Sequence, residues 1–354
     1  MISSTTCINS FRLARHYATS TAVKYTAFGT PNQVLKVVQE NVNDNVNGDE
    51  VLVDMLHAPI NPVDFNLAQG TYAFQPQLPA IAGSEGVGKV VKVGSNVTGL
   101  KPNDFVIPVI SSKVAGTWRT KAVFSEKQLF KAPADIPAEA LATVSINPTT
   151  AYRLLNDFEK LKAGDVIIQN AANSMVGVSV IQIAKARGIK TINVVRNTGD
   201  IDDVVDHLKK LGGDIVVTED YVRTQAFQRL VADLPRPKLA LNAVGGSSAT
   251  ELARNVADNG TLVTYGGMSR EPVTIPTSHL IFRNVNVRGF WLNNWFETHS
   301  AAERQAMFDD IFDLIRNKHL KVWVEKHKFS EFSSAFARSQ ESGKFRKVVL
   351  DLQL

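Results

Sequence analysis

The apolar positions of the chain fall into two regimes. From 22 to 146, short β-branched runs alternate with turn signals. VGKVVKV (87–93) closes on Gly94-Ser95-Asn96, 104–109 is a second run, and Gly48-Asp49, Asn61-Pro62 and Lys101-Pro102 punctuate the rest. Short strands with irregular loops predict a β-barrel-like domain. Near Asn147 the period changes. DVIIQ (165–169), TINVV (191–195), 215–218, 239–243 and 261–265 read as apolar strands. Helix-length segments lie between them: 174–187, with Val176, Val180, Ile183 and Ala184 on one stripe, and 202–211. That alternation predicts a parallel sheet covered on both faces. A further amphipathic helix is predicted over 301–317, and a last strand over 346–352. The expected fold class is α/β: a barrel-like domain plus a doubly wound parallel sheet.

A length of 354 residues fits about two domains of ordinary size. No apolar run reaches the 18 residues of a membrane span. The net charge of +5 is spread out, without a Lys/Arg block, which speaks against nucleic-acid binding. Cys7 is the only cysteine, so an intrachain disulfide and a multi-cysteine zinc site are excluded. His57, His279, His299, His319 and His327 are scattered without metal-ligand spacing, and no metal is expected.

The N-terminus has its own character. The first acidic residue is Glu40, and Arg12, Arg15 and several Ser and Thr lie within the first twenty positions. An acid-free, Arg- and Ser-bearing, potentially amphipathic start predicts a mitochondrial transit peptide over 1–20. Its cleavage near 17–21 would remove Cys7 and two positive charges.

The chemistry-bearing stretch is IIQNAANSMVG (167–177), where a strand meets a loop of small residues and a helix. Backbone N–H groups and the helix dipole at such a junction receive a dinucleotide pyrophosphate. Ala172, Ser174 and Gly177 stand at the three fingerprint positions, so two glycines are replaced, and Asn173, Met175 and Val176 complete the loop. Arg196 follows the next strand, with Asn197 and Thr198 beside it. A cation there suits a 2′-phosphate, where an acid would suit a free hydroxyl, and the expected cofactor is NADPH. Tyr265-Gly266-Gly267-Met268 closes a later strand, where a Gly pair lets backbone approach a ligand.

These segments resemble the medium-chain dehydrogenase/reductase superfamily. INPVDFNLAQGTY (60–72), GSEGVG (83–88) and GSNVT (94–98) resemble its zinc-free, quinone-reductase-like branch. INPTTAYRLL (146–155), LALNAVGG (239–246), TYGGM (264–268) and RGFWL (288–292) are most similar to the mitochondrial trans-2-enoyl-CoA (enoyl-thioester) reductases. The resemblance covers the chain from about residue 22 to its end. It implies a GroES-like catalytic domain over 22–146 and 294–354, and an inserted Rossmann domain over 147–293. It implies reduction of trans-2-enoyl thioesters, on coenzyme A or acyl carrier protein, in the mitochondrial matrix. It also implies a homodimer joined through the edge strand at 285–290. Tyr72 matches the proton donor, and Asn147 a residue at the nicotinamide end of the cofactor. Residues 173–176 carry over as the pyrophosphate loop and 196–198 as the 2′-phosphate site. Tyr265 to Met268, with Phe290, Trp291, Leu292 and Asn293, carry over as walls on the nicotinamide side. Lys347 matches a cofactor-contacting lysine, and Asn61 is a weaker candidate. Met175 departs from the frequent glycine and would be strained if the loop required a positive φ there. Two other readings stand beside this one: a zinc-free quinone oxidoreductase on the same fold, and a cofactor-binding protein without catalysis.

Overall fold

The computed structural model describes residues 17–109, 116–341 and 345–353. Residues 1–16 of the expected leader lie outside them. Tyr17–Tyr25 is already a strand, paired antiparallel with Lys36–Asn43 from Tyr17↔Asn43 onward, and Ser20 within it is buried.

A six-stranded sheet forms the second half of the chain. Its spatial order is Ile215–Thr218, Lys190–Val195, Val166–Gln169, Leu239–Asn242, Thr261–Thr264, Asn286–Gly289, and every pair is parallel. The chain thus lays two strands to one side of Val166–Gln169 and then returns to lay three on the other, the doubly wound order. Side chains alternate across the sheet. Ile167 packs into one apolar cluster with Val180, Ile183 and Ala184 of the helix Met175–Ala186. Val166 and Ile168 face the opposite cluster with Phe227, Leu252 and Ala253. The central strands are buried on both faces, which is why they read as unbroken apolar runs.

The first half builds a largely antiparallel sheet: Glu50–Pro59, Val87–Val93, Phe105–Pro108 and Leu129–Ala132, with Lys121–Ser125 also on Glu50–Pro59. The C-terminal strand Lys347–Asp351 joins this sheet, antiparallel to Glu50–Pro59 with Val349 opposite Pro59. Val324–Lys328 extends it on the far side. Ile60 N–H donates to Val348 O at 3.1 Å, and this register brings Lys347 alongside Asn61.

Two dipeptides differ from the turns that Asn-Pro pairs usually mark. Asn61-Pro62 opens the helix Pro62–Gln69, and Asn147-Pro148 lies in the first turn of Asn147–Leu154. Proline at the start of a helix forfeits no hydrogen bond, because that N–H has no intrahelical acceptor. Asp64 accepts the Asn61 N–H at 2.7 Å, and Gly70 ends the first helix in the left-handed region at φ 70°.

Candidate active site

Five loops leave the carboxyl ends of the parallel strands around the point where strand order reverses, between Val166–Gln169 and Leu239–Asn242. They carry residues 171–174, 196–198, 243–246, 265–268 and 290–293. Ligands of open α/β sheets bind in the crevice at this switch point. Two buried asparagines fix its floor. Asn170 Nδ2 donates to Asn242 Oδ1 at 2.8 Å, while Asn170 Oδ1 accepts the Ala243 N–H at 2.8 Å. Asn242 Oδ1 also accepts the N–H groups of Val244 and Gly245, at 3.1 and 3.0 Å. The sequence reading missed this pair; its signal was a polar residue at the end of each of two apolar strands.

The small-residue loop is a helix N-terminus. Ser174 is the N-cap of Met175–Ala186, and its Oγ accepts the Gly177 N–H at 3.1 Å. A Cβ on Gly177 would stand 2.5 Å from Ala172 O, so this position alone of the three fingerprint sites requires glycine. The strain considered for Met175 is absent: Met175 is the first helical residue, and the positive φ of the loop, 46°, falls on Ala171. Asn173 is exposed and Val176 half-buried against the core. First-turn N–H groups, a capping serine and close backbone approach fit a pyrophosphate.

Arg196 and Asn197 are exposed directly beyond the strand Lys190–Val195, and Thr198 Oγ1 donates to Asp200 at 2.5 Å. Of the Gly pair, only Gly266 is constrained, since its Cβ would lie 3.1 Å from Ala243 O; Gly267 faces open space. Met268 is 68% exposed and is tied by its N–H to Ala243 O at 3.0 Å. The Tyr265 hydroxyl is buried beside Ser174 without a hydrogen bond of normal geometry, and burial raises its pKa. Phe290 stacks edge-on against Phe158, and Leu292 and Asn293 begin the helix Leu292–Thr298.

A buried polar cluster lies on the barrel side, built from four distant segments. Asn61 is its centre. Asn61 Oδ1 accepts from Lys347 Nζ at 2.5 Å and from Asn147 Nδ2 at 3.1 Å, while Asn61 Nδ2 donates to Glu85 Oε2 at 3.0 Å. Glu85 Oε1 accepts the Ile146 N–H at 2.8 Å. Burial pushes the Glu85 carboxyl up, opposed by the Lys347 ammonium and by these donors. Burial also pushes Asp64 up to about 7, against the Asn61 N–H that it accepts. Glu85 was not singled out as a functional residue from the sequence, although it stands inside the GSEGVG segment.

Tyr72 follows the helix Pro62–Gln69 by one tight turn. A Cβ on Gly70 would meet the Phe28 ring at 2.8 Å, so this glycine sets the loop against the barrel. Trp291 Nε1–H donates to Tyr72 Oη at 2.9 Å, and the two rings meet edge-on. Burial raises the Tyr72 pKa above its ordinary value, with the Trp291 hydrogen bond opposing. The phenol is therefore neutral near pH 7.

A dinucleotide fold joined to a barrel whose tyrosine meets the crevice wall defines a two-domain, nicotinamide-dependent reductase. Residues 47–134 match the family described as alcohol dehydrogenase GroES-like domain, and 176–309 match zinc-binding dehydrogenase. The enoyl-[acyl-carrier-protein] reductase, mitochondrial, of Dictyostelium discoideum is 64% identical over 346 residues, 98% of this chain and 99% of that one. The chain belongs to the mitochondrial enoyl-[acyl-carrier-protein] reductase family of the medium-chain dehydrogenases/reductases. A solved structure described as the Etr1p/NADP/crotonyl-CoA complex superposes with a TM-score of 0.87 at 33% identity, covering 94% of this chain and 100% of that chain. The mitochondrial 2-enoyl thioester reductase Etr1p/Etr2p heterodimer from Candida tropicalis gives 0.86 at 34% identity, with coverage of 94% and 100%. The zinc in the matched family's description finds no suitable donor set: among the described residues no three His, Cys, Asp or Glu side chains are grouped to hold a metal ion. No helix among the described residues is long and apolar enough to cross a membrane.

Proposed function

We propose that this protein reduces trans-2-enoyl thioesters to acyl thioesters with NADPH in mitochondrial fatty-acid synthesis, with Tyr72 as the proton donor. The observation that carries the reading is the Trp291–Tyr72 hydrogen bond, which joins the barrel loop to the cofactor-side wall. Bound NADPH supplies a hydride to the β-carbon. Negative charge then gathers on the thioester oxygen and the α-carbon, where a proton must arrive. Tyr72 Oη accepts from Trp291, so its own O–H remains to be donated. The same Trp291 N–H stabilises the phenolate left after transfer.

Residues 173–176 are proposed to hold the pyrophosphate at the helix N-terminus, and 196–198 the 2′-phosphate. Asn147 and Lys347 are proposed to lie at the nicotinamide end. Residues 265–268 and 290–293 are proposed as its walls. Under this reading 22–146 and 294–354 form the catalytic domain and 147–293 the cofactor domain. The leader is proposed over 1–20; the pairing of Tyr17–Tyr25 and the burial of Ser20 favour cleavage at the early end of that range.

Delivery of the substrate by acyl carrier protein is part of the proposal. So is a homodimer through Asn286–Gly289. This outermost strand is exposed along its length, with Val287 43% accessible and Phe282 nearby at 80%. An uncovered β-branched edge favours pairing with a second copy. The test is NADPH consumption with trans-2-enoyl thioesters of C4 to C16 on either carrier, run beside a quinone. Faster turnover of the quinone would replace this reading with an oxidoreductase of the quinone type. Binding of NADPH without turnover of either would leave a cofactor-binding protein.

A further inference from the structure

The cluster around Asn61 has a hydrogen-bond direction that can be worked out link by link. A carboxylate only accepts and an ammonium only donates, whereas an amide does each at opposite ends. Glu85 Oε1 accepts the Ile146 N–H at 2.8 Å and the Ser145 hydroxyl at 3.3 Å, and its Oε2 faces Asn61. The Asn61 amide must then turn its NH₂ to Glu85 and its oxygen to Lys347. That oxygen also receives Asn147 Nδ2, which leaves Asn147 Oδ1 without a partner among the described residues. The Glu85 and Asn61 side chains are both almost wholly buried, and water cannot substitute for either partner.

We infer that Glu85 is a positioning residue: through Asn61 it fixes which end of the Asn147 amide faces the ligand, so that the site selects a nicotinamide-type ring bearing an N–H donor. This inference rests on the placement of Asn147 at the nicotinamide end. Fixed in this sense, Asn147 Oδ1 accepts from a primary carboxamide and offers nothing to a ketone in the same place. Glu85 itself touches neither cofactor nor substrate.

A glutamine at 85 frustrates the chain of amides. With its oxygen on the Ile146 N–H, its NH₂ faces Asn61. Asn61 must then turn its own NH₂ toward Lys347, donor against donor. Turning the glutamine instead sets its NH₂ against the Ile146 N–H. Adding Asn61→Asp removes the conflict. The glutamine donates to one aspartate oxygen, and Lys347 and Asn147 donate to the other. The double exchange keeps the net charge and restores the direction.

The experiment measures dissociation constants for NADPH and for reduced 3-acetylpyridine adenine dinucleotide phosphate, which keeps the carbonyl but lacks the NH₂. The wild type is expected to prefer NADPH about ten-fold, the value of one hydrogen bond. Asn147→Ala is expected to abolish that preference. Glu85→Gln should bring the ratio near one, and Glu85→Gln/Asn61→Asp should restore it to within about two-fold of wild type, as one intact hydrogen bond requires. A Glu85→Gln variant that keeps the full preference overturns the inference while leaving Asn147 in place. So does a folded double variant that lacks it. If Glu85→Gln does not fold, the double variant alone decides, by the same ratio. A wild type without preference, or an Asn147→Ala variant that keeps it, overturns both the placement of Asn147 and the inference built on it.

Discussion

Trp291 Nε1–H donates to Tyr72 Oη across 2.9 Å, tying a loop of the barrel to the end of the parallel sheet. Because the tyrosine oxygen is the acceptor, its proton faces away from the tryptophan. A donor aimed at that oxygen is worth more after the proton has left than before. Trp291→Phe should therefore lower turnover by about ten- to hundred-fold, the worth of a hydrogen bond to a charged group. The KM for NADPH should change much less. Steady-state kinetics check the split.

The same pair sets the alkaline side of the pH profile. Burial raises the Tyr72 pKa, and the Trp291 hydrogen bond pulls it back down. A proton donor is active below its pKa, so activity should persist through neutral pH and fall as pH rises past the tyrosine range. Trp291→Phe removes the lowering influence and should move that fall to higher pH. A profile of kcat/KM for both forms reads the direction.

Arg196 is exposed at the end of Lys190–Val195, with no ion pair among the described residues. Arg196→Glu should reverse the cofactor preference, weakening NADPH and sparing NADH, because the acid repels a 2′-phosphate and can accept from a 2′-hydroxyl. Retained NADPH preference in a titration of both cofactors would remove Arg196 from the site.

Gly177→Ala places a methyl group 2.5 Å from Ala172 O, and backbone on both sides must shift. The cost is about 1–3 kcal/mol, as for overpacking generally. NADPH affinity should fall with stability because the displaced loop is the one proposed to receive the pyrophosphate. Denaturant unfolding with and without NADPH separates the two effects.

Val287→Lys puts a charge on the exposed strand Asn286–Gly289. It should shift the proposed dimer to monomer by light scattering, since two copies would set like charges at a shared edge. Unfolding should be little changed, because Val287 is not part of the core.

The parallel half of the fold was legible because its strands are buried on both faces: VIIQ, LALN and TLVT lie where apolar runs were read. The strand at 87–93 was found to its ends because its β-branched run closes on the turn signal Gly94-Ser95-Asn96. Asn61-Pro62 misled because a turn and a helix N-terminus use the same residues, and only Asp64 and Gly70 downstream decide between them. Of the site, the loop and Arg196 were readable because they follow strands at fixed offsets. Tyr72, Asn147 and Lys347 came only with the resemblance, since each is ordinary in its own segment. Glu85 stayed hidden because its partners arrive by strand register from far away. Lys347 reaches Asn61 across 286 positions of sequence, and no local pattern encodes that meeting.

The central claim is that Tyr72 delivers the proton in reduction of an enoyl thioester, and Tyr72→Phe tests it most directly. The substitution removes one oxygen and keeps the ring against Phe74 and Trp291. With a trans-2-enoyl-CoA, turnover should fall by about 10²–10⁴, the range for loss of a general acid, while NADPH binds as before. Turnover equal to wild type, with the same thioester and intact NADPH binding, would contradict the account.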